Sequence, residues 1–482
     1  MFFNSFDFAV FLPTVFLLYW FVTNRSLFLQ NLTITLASYL FYGWWDWRFL
    51  SLILFSTAVD FLVGRALHKQ ENQTKRKLLL WISIVVNLGF LGFFKYYNFF
   101  LDNFVAAFSF MGNDIEANSL NIILPVGISF YTFQTLSYTI DVYRRKLEPT
   151  NDFIAFSAFV SFFPQLVAGP IERATHLLPQ FYQQRTFDYG LAVVGMRQIL
   201  WGLCKKIVIA DNAAVVANEI FNNSAEYSGS TLVVGALFFT FQIYGDFSGY
   251  SDIAIGTSRL FGFDLMKNFN FPYFSRDIAE FWRRWHISLS TWFRDYLYIP
   301  LGGSRMGTWG QVRNIFIIFI VSGFWHGANW TFIVWGALNA IYFLPLLLTK
   351  RNRTNTDNVA AGRHLPSPKE LLSIALTFSL TVLAWIFFRA DNIGHACSYL
   401  TSIFSTSLFS VPSFSGSEAA VTTAILITAF TIIEWLGRES EFAIERLDPT
   451  LNKPLRWAFY FSLILVMFVF TGEEQQFIYF QF

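Results

Sequence analysis

Two histidines lie where histidine is costly. His326 sits between apolar runs in VSGFWHGANWTFIVWGALNAIYF (residues 321–343), beside Gly323 and Gly327, and His286 stands 40 positions earlier in FWRRWHISLSTW. Imidazole is the side chain whose ordinary pKa lies near neutrality, so it can take a proton from an attacking hydroxyl and hand it on to a leaving group. A histidine this deep in apolar sequence needs a hydrogen-bonding partner on another helix or a chemical task, and the residues alone leave both open.

A second group lies in FQIYGDFSGYSDIAIG, residues 241–256. Gly245, Gly249, Asp252 and Gly256 recur at helical steps, a stripe of small residues that lets another helix approach closely. Asp246 and Asp252 stand beside or on it, and acids inside a membrane are functional candidates as well as hydrogen-bonding glue. Metal chemistry is not indicated, because no HExxH pair occurs and the histidines at 68, 176, 286, 326, 364 and 395 are scattered. A GxSxG elbow, a GK[ST] phosphate loop and a dinucleotide fingerprint are also absent from the sequence.

The element that must carry His286 reads as one amphipathic helix, SRDIAEFWRRWHISLSTWFRDYLYIPLGGSR, with Ser275 as N-cap, Asp277 in its first turn and Pro300 and Gly302 ending it. Phe281, Trp285, Leu289, Trp292 and Tyr296 form its apolar stripe, and Glu280 can pair with Arg284 one turn on. Tryptophan and arginine together suit the headgroup level, so an interfacial anchor is expected, a reading that leaves His286 without a role.

Composition says what surrounds these elements. Of 482 residues 54% are hydrophobic and only 14% charged, against roughly 25% charged in a soluble domain. A soluble fold cannot hide that much apolar surface. The formal net charge is +2, and basic residues cluster between apolar runs instead of lining a helix face, which argues against a nucleic-acid partner. Two cysteines, Cys204 and Cys397, are too few for a disulfide framework and are expected as buried thiols. The opening MFFNSFDFAVFLP lacks a basic region and a cleavage site, so it reads as a retained first membrane segment.

Apolar runs near the ~20 residues that cross a bilayer cover 8–22, 27–45, 49–63, 78–94, 232–244, 315–324, 331–348, 371–388, 419–435 and 457–470. The stretches 122–138, 153–169 and 196–216 are also apolar but interrupted by Pro125, Gly127, Pro164, Gly169 and Pro170, and broken or re-entrant helices are expected there. Irregular backbone at that depth survives only against protein or a watery cavity, which points to an internal chamber. The expected fold is all-α and polytopic, with ten to twelve transmembrane helices plus re-entrant and interfacial ones.

Basic clusters at Arg65, Lys69, Lys75, Arg76 and Lys77, at Arg144, Arg145 and Lys146, at Lys350, Arg351 and Arg353, and at Arg438 and Arg446 mark cytoplasmic loops. Counting spans from them places the N-terminus and Glu473 and Glu474 outside. Residues 352–370 form the one polar linker, and with no internal repeat the simplest organisation is a single membrane domain over 1–482.

FWRRWHISLSTWFRDYLYIPLGG, followed by GFWHGANWTFIVWG, resembles the membrane-bound O-acyltransferase family, and within it the bacterial branch of alginate O-acetyltransferase membrane subunits and teichoic-acid D-alanyl transfer proteins. LASYLFYGWWDW, ILPVGISFYTFQTLSYTIDVYR, FFPQLVAGPIER, YGDFSGYSDIAIG and the terminal FIYFQF extend the likeness over nearly the whole chain, whose length favours the alginate type. The resemblance implies a ring of helices around a funnelled centre in the bacterial inner membrane. It places the family's active-site histidine at His326 and its second motif position at His286. It implies acetyl transfer from a thioester, acetyl-CoA as co-substrate with no tightly bound cofactor, toward a polysaccharide acceptor. Lacking a soluble domain to handle a polymer, the chain would pass the group to an extracytoplasmic transferase partner. Trp325 NH and Asn329, by proximity, are candidate oxyanion donors. The competing readings are a transporter, which broken helices and buried acids would also suit, and a non-catalytic scaffold.

Overall fold

The computed structural model describes residues 1–112, 119–167, 169–447, 451–472 and 475–478. Glu473 and Glu474, expected outside the membrane, lie outside the described residues. Among those described, every regular element is helical. Among the described residues, six apolar helical stretches are long enough to cross a membrane: Leu27–Lys69, Gln73–Phe110, Gly229–Leu260, Trp330–Leu348, Pro368–Arg389 and Ser417–Leu436. This is a multi-pass membrane protein.

The chain divides into two compact units, one of residues 1–193 and 257–266, the other of 194–256 and 267–482. The first carries α1 (Phe6–Leu17), α2 (Leu27–Asp46), α3 (Leu50–Lys69), α4 (Gln73–Leu91), α5 (Tyr97–Phe110), α6 (Ile128–Tyr143), α7 (Phe153–Ser161), α8 (Phe163–Leu166) and α9 (Ala174–Leu177). Side chains start several of these helices: Ser5, Ser26, Asn72 and Asp152 accept from amides of their first turns, which have no partner within the helix.

The expected breaks occur where proline and glycine stand. Residues 122–127 are not helical, and α6 begins only after Gly127, whose φ of +74° favours glycine and where a Cβ would overlap the Leu166 carbonyl. Pro164 sits in the first turn of α8, just past the break at Phe162 that ends α7.

The interior of this unit is polar as well as apolar. Where α3, α4 and α6 meet, the Asp60 carboxylate accepts from Ser83, from Asn87 Nδ2 at 2.8 Å and from Thr139 at 2.9 Å, while Ser56 and Thr135 donate to Asn87 Oδ1. Arg76, one of the basic residues taken to mark a cytoplasmic loop, is buried and donates to the carbonyls of Leu67, Gln70 and Tyr143. It therefore ties the turn between α3 and α4 to the end of α6.

At this unit's polar margin His176 stands between two acids, its Nδ1 2.8 Å from Glu172 and its Nε2 3.5 Å from Asp264. The hydrogen bond to Asp264, then that to Glu172, push the imidazole up to about 10. A folded pKa above the unfolded one makes a contribution that is full below the unfolded value of ~6.5 and lost as pH climbs to the folded value. The melting temperature of the wild type should therefore fall more between pH 7 and pH 10 than that of His176→Gln. Parallel declines in the two proteins would show that this ion pair carries no such linkage.

Candidate active site

The second unit contains most of α10 (Tyr189–Cys204) and α12 (Gly229–Leu260), together with α11 (Asp211–Asn222), α13 (Ile278–Arg284), α14 (Ile287–Phe293), α15 (Gly307–His326), α16 (Trp330–Leu348), α17 (Pro368–Arg389), α18 (Ile393–Ile403), α19 (Ser417–Leu436) and α20 (Lys453–Val469). His326 is the last residue of α15. The helix stops because Gly327 is extended and Asn329 caps α16, its Oδ1 accepting from the Thr331 amide at 3.0 Å. A Cβ at Gly323 would overlap the Phe332 carbonyl and one at Gly336 the Phe319 carbonyl, so α15 and α16 pack backbone against backbone.

That hairpin holds His326 at 3% exposure within an aromatic wall. Trp335 lies edge-on at 5.2 Å, Phe388 at 5.4 Å and Trp325 at 5.0 Å between ring centroids. Trp335 stacks on Trp385 at 5.6 Å, and Trp385 meets Trp285 at 5.0 Å. Asn329 Nδ2 donates to the Asp391 carbonyl at 2.8 Å.

The single amphipathic helix expected around His286 is two short helices, α13 and α14, broken at Trp285 and His286. Hydrogen bonds from elsewhere in the unit outcompete helix continuation there. The Ile287 amide donates to the Asn268 carbonyl and the Asn270 amide to the Arg284 carbonyl, both at 2.9 Å. Asp277, not Ser275, is the N-cap, accepting from the Glu280 amide at 2.7 Å, while Ser275 Oγ donates to the Pro272 carbonyl. The Glu280–Arg284 pair forms as expected, at 2.9 Å. An interfacial anchor is not what results, since Phe281, Trp285, Leu289 and Trp292 are all buried.

His286 itself takes the left-handed conformation, φ 44° and ψ 55°, with 1% exposure. A non-glycine residue held there costs on the order of 1–3 kcal/mol, a strain that clusters at functional sites. Asn268 holds it: Oδ1 lies 3.0 Å from His286 Nδ1 and accepts from Ser288 Oγ at 2.9 Å, while Nδ2 donates to Ser251 at 3.0 Å. With Asn268 oxygen as the acceptor, His286 carries its proton on Nδ1 and its lone pair on Nε2. Burial pushes this imidazole down to about 3, so it stays neutral at any working pH. Phe247 meets the ring at 4.6 Å and 90°. The two histidine rings, 40 residues apart in sequence, come within 6.3 Å of each other.

Nearby, the glycine stripe of α12 faces α10 as expected, with Gly245, Gly249 and Gly256 set against the main chain of Lys205, Gly202 and Gly195. Asp246 and Asp252 are ion-paired. Lys205 bridges Asp252 at 3.0 Å and Glu434 at 3.3 Å, and Lys206 bridges Asp211 at 2.7 Å and Asp246 at 2.9 Å. Trp201 and Tyr244 also donate to Glu434. Sequence reading missed Lys205, Lys206, Glu434 and Asn268. Two adjacent lysines within the apolar run 196–216 were the available signal for the first pair, whereas nothing local distinguishes Asn268. Of the cysteines, Cys204 is buried but Cys397 is exposed, contrary to expectation. The polar segment after α16 is strapped down, Arg283 donating to the carbonyls of Asn352 and Asn355 and Arg438 to those of Val359 and Ala360.

A multi-pass helical membrane protein thus carries two buried imidazoles, differently held, 6.3 Å apart between ring centroids. The family model for the membrane-bound O-acyltransferase family matches residues 144–387. The chain is 40% identical over 431 residues to a probable alginate O-acetylase of Pseudomonas syringae pv. tomato, covering 89% of this chain and 80% of the relative. It is 37% identical to a probable alginate O-acetylase of Pseudomonas putida over 98% of both chains, and 37% identical to a peptidoglycan O-acetyltransferase of Helicobacter pylori over 81% of this chain and 77% of the relative. The chain belongs to the membrane-bound O-acyltransferase family and is an acyltransferase, not a transporter.

Asn268→Ala removes the acceptor of His286 and Ser288 and the donor to Ser251 at once. Leaving such groups buried without a partner costs about 1–3 kcal/mol. A matching fall in unfolding free energy, measured in the membrane-mimetic used for purification, is the expected outcome. A change smaller than the scatter of surface substitutions would mean that Asn268 does not hold His286.

Proposed function

We propose that this protein transfers an acetyl group from a thioester donor, acetyl-CoA, toward the hydroxyl of a cell-surface polysaccharide, with His326 as general base. The observation that carries the assignment is the pair of buried imidazoles 6.3 Å apart, one of them held by Asn268. His326 takes the hydroxyl proton as oxygen attacks the thioester carbonyl. The C–S bond then breaks and the thiolate leaves with a proton, so the cycle needs no resident cofactor and releases no net proton.

His286 is the orienting member, since a ring held neutral with a pKa pushed down to about 3 is a poor base. Asn268 holds its Nδ1, which fixes the direction in which its Nε2 points. The acceptor follows the names of the relatives, an alginate-like polymer first and peptidoglycan second, both of which offer sugar hydroxyls. The acetyl group passes first to an extracytoplasmic transferase partner, whose own hydroxyl is then the one His326 deprotonates, and the partner carries the ester on to the polymer hydroxyl. The protein sits in the inner membrane, and helices such as α1, α15 and α20 complete a set of ten to twelve crossings.

Gln keeps a hydrogen bond of similar reach but cannot accept a proton near neutral pH, so His326→Gln separates glue from base. The variant should express, insert and melt like wild type while losing about 10²- to 10⁴-fold in acetyl transfer. Normal expression with more than about a tenth of wild-type transfer would end the assignment of His326 as base.

A further inference from the structure

The last described residues of the chain turn back into the second unit. Lys206 Nζ, already paired with Asp211 and Asp246, donates to the Gln475 carbonyl at 3.0 Å. The Ile478 amide donates to the other Asp246 oxygen at 2.7 Å. Between these anchors Phe477 is fully buried at 0% exposure, its ring 4.3 Å from Tyr250 and 6.1 Å from Phe247. Phe247 is the ring set perpendicular to His286 at 4.6 Å.

Ions withdrawn from water are costly unless their geometry is good and their remaining hydrogen-bonding capacity is used. Here a buried lysine and a buried aspartate each spend part of that capacity on the main chain of the short segment 475–478. A tail that merely filled a gap would need no such anchors. We propose that residues 475–478 form a strap, anchored by Lys206 and Asp246, through which Phe477 presses Phe247 against His286 and so positions that imidazole. Phe477 is thereby a positioning residue for the proposed transfer, acting through Phe247 and touching no reacting atom. This inference rests on the reading of the histidine pair as the transfer site for its catalytic meaning, but the contact itself can be tested without substrate.

The experiment uses the full chain purified in detergent and treated with diethyl pyrocarbonate, with each histidine followed by peptide mass mapping. In wild type His286 is protected. Phe477→Ala should make His286 several-fold more reactive while His326 stays protected, and should lower kcat for acetyl transfer with the donor KM unchanged. Phe477→Tyr, which keeps the ring, should retain protection. Lys206→Met should reproduce the exposure of His286 and Lys206→Arg should not. If the methionine variant fails to fold, the two Phe477 variants decide the question. An unreactive His286 in Phe477→Ala overturns the proposal, as does a general rise in reactivity at both buried histidines, which would make the strap a folding element only. Failure of the general-base reading shows instead in His326→Gln and leaves His286 labelling unaffected, so the two failures are distinguishable.

Discussion

A polar group inside a bilayer has only other protein groups to satisfy it, and the local structure described here follows from that constraint. Asp60 is met by hydroxyls and an amide, and Arg76 by three carbonyls. Lys205 and Lys206 are divided among four carboxylates, and His286 is given to Asn268. In each case a side chain with no business in hydrocarbon is tolerated because neighbouring elements were brought close enough to satisfy it. The close approaches are glycine's work: α12 against α10, and α15 against α16. Small residues let main chains come together, and the polar groups then have partners within reach.

The same logic explains what could and could not be read from the residues. Long apolar runs report helices because twenty such residues have few alternatives in a membrane, and all ten runs identified by hydropathy fall in helical segments. Proline and glycine report breaks because their effect is local, which is why the interruptions before Ile128 and at Phe162 were legible. The break at His286 was not. Its neighbourhood has helical periodicity, an N-terminal acid and an i,i+4 ion pair, all of them local signals for a continuous helix. What overrides them is Asn268, eighteen positions away in sequence, whose main chain and side chain both bind the segment. Exposure was misjudged for a related reason: an aromatic and arginine-rich stripe looks alike at a headgroup interface and in a packed interior. Only its tertiary partners tell the two apart. Cys397 shows the reverse error, an apolar neighbourhood on a helix whose face turns outward.

The relatives extend the reading in one direction and leave the chemistry to the residues. Membership of an acyltransferase family establishes the type of reaction, but division of labour between the two histidines has to be argued from their surroundings. Identical side chains 6.3 Å apart cannot both be bases of equal strength if their environments differ. His286 is pinned by one nitrogen to a buried amide, is strained in its backbone and is crowded by Phe247 and Phe269. His326 ends a helix and is surrounded chiefly by the rings of Trp325, Trp335 and Phe388.

A ring fixed by a hydrogen bond on one nitrogen presents the other in a constant direction, which suits it to orient a partner. A ring set among aromatic edges is constrained in place by packing. These surroundings are the ground on which the proposed roles of base and orienting group are divided between the two rings. The strained member is deeply buried, as it must be, since strain persists only where surrounding contacts over-determine the conformation. The strap formed by residues 475–478 fits that requirement. It adds contacts to Phe247, which meets a ring whose left-handed conformation the local sequence does not favour.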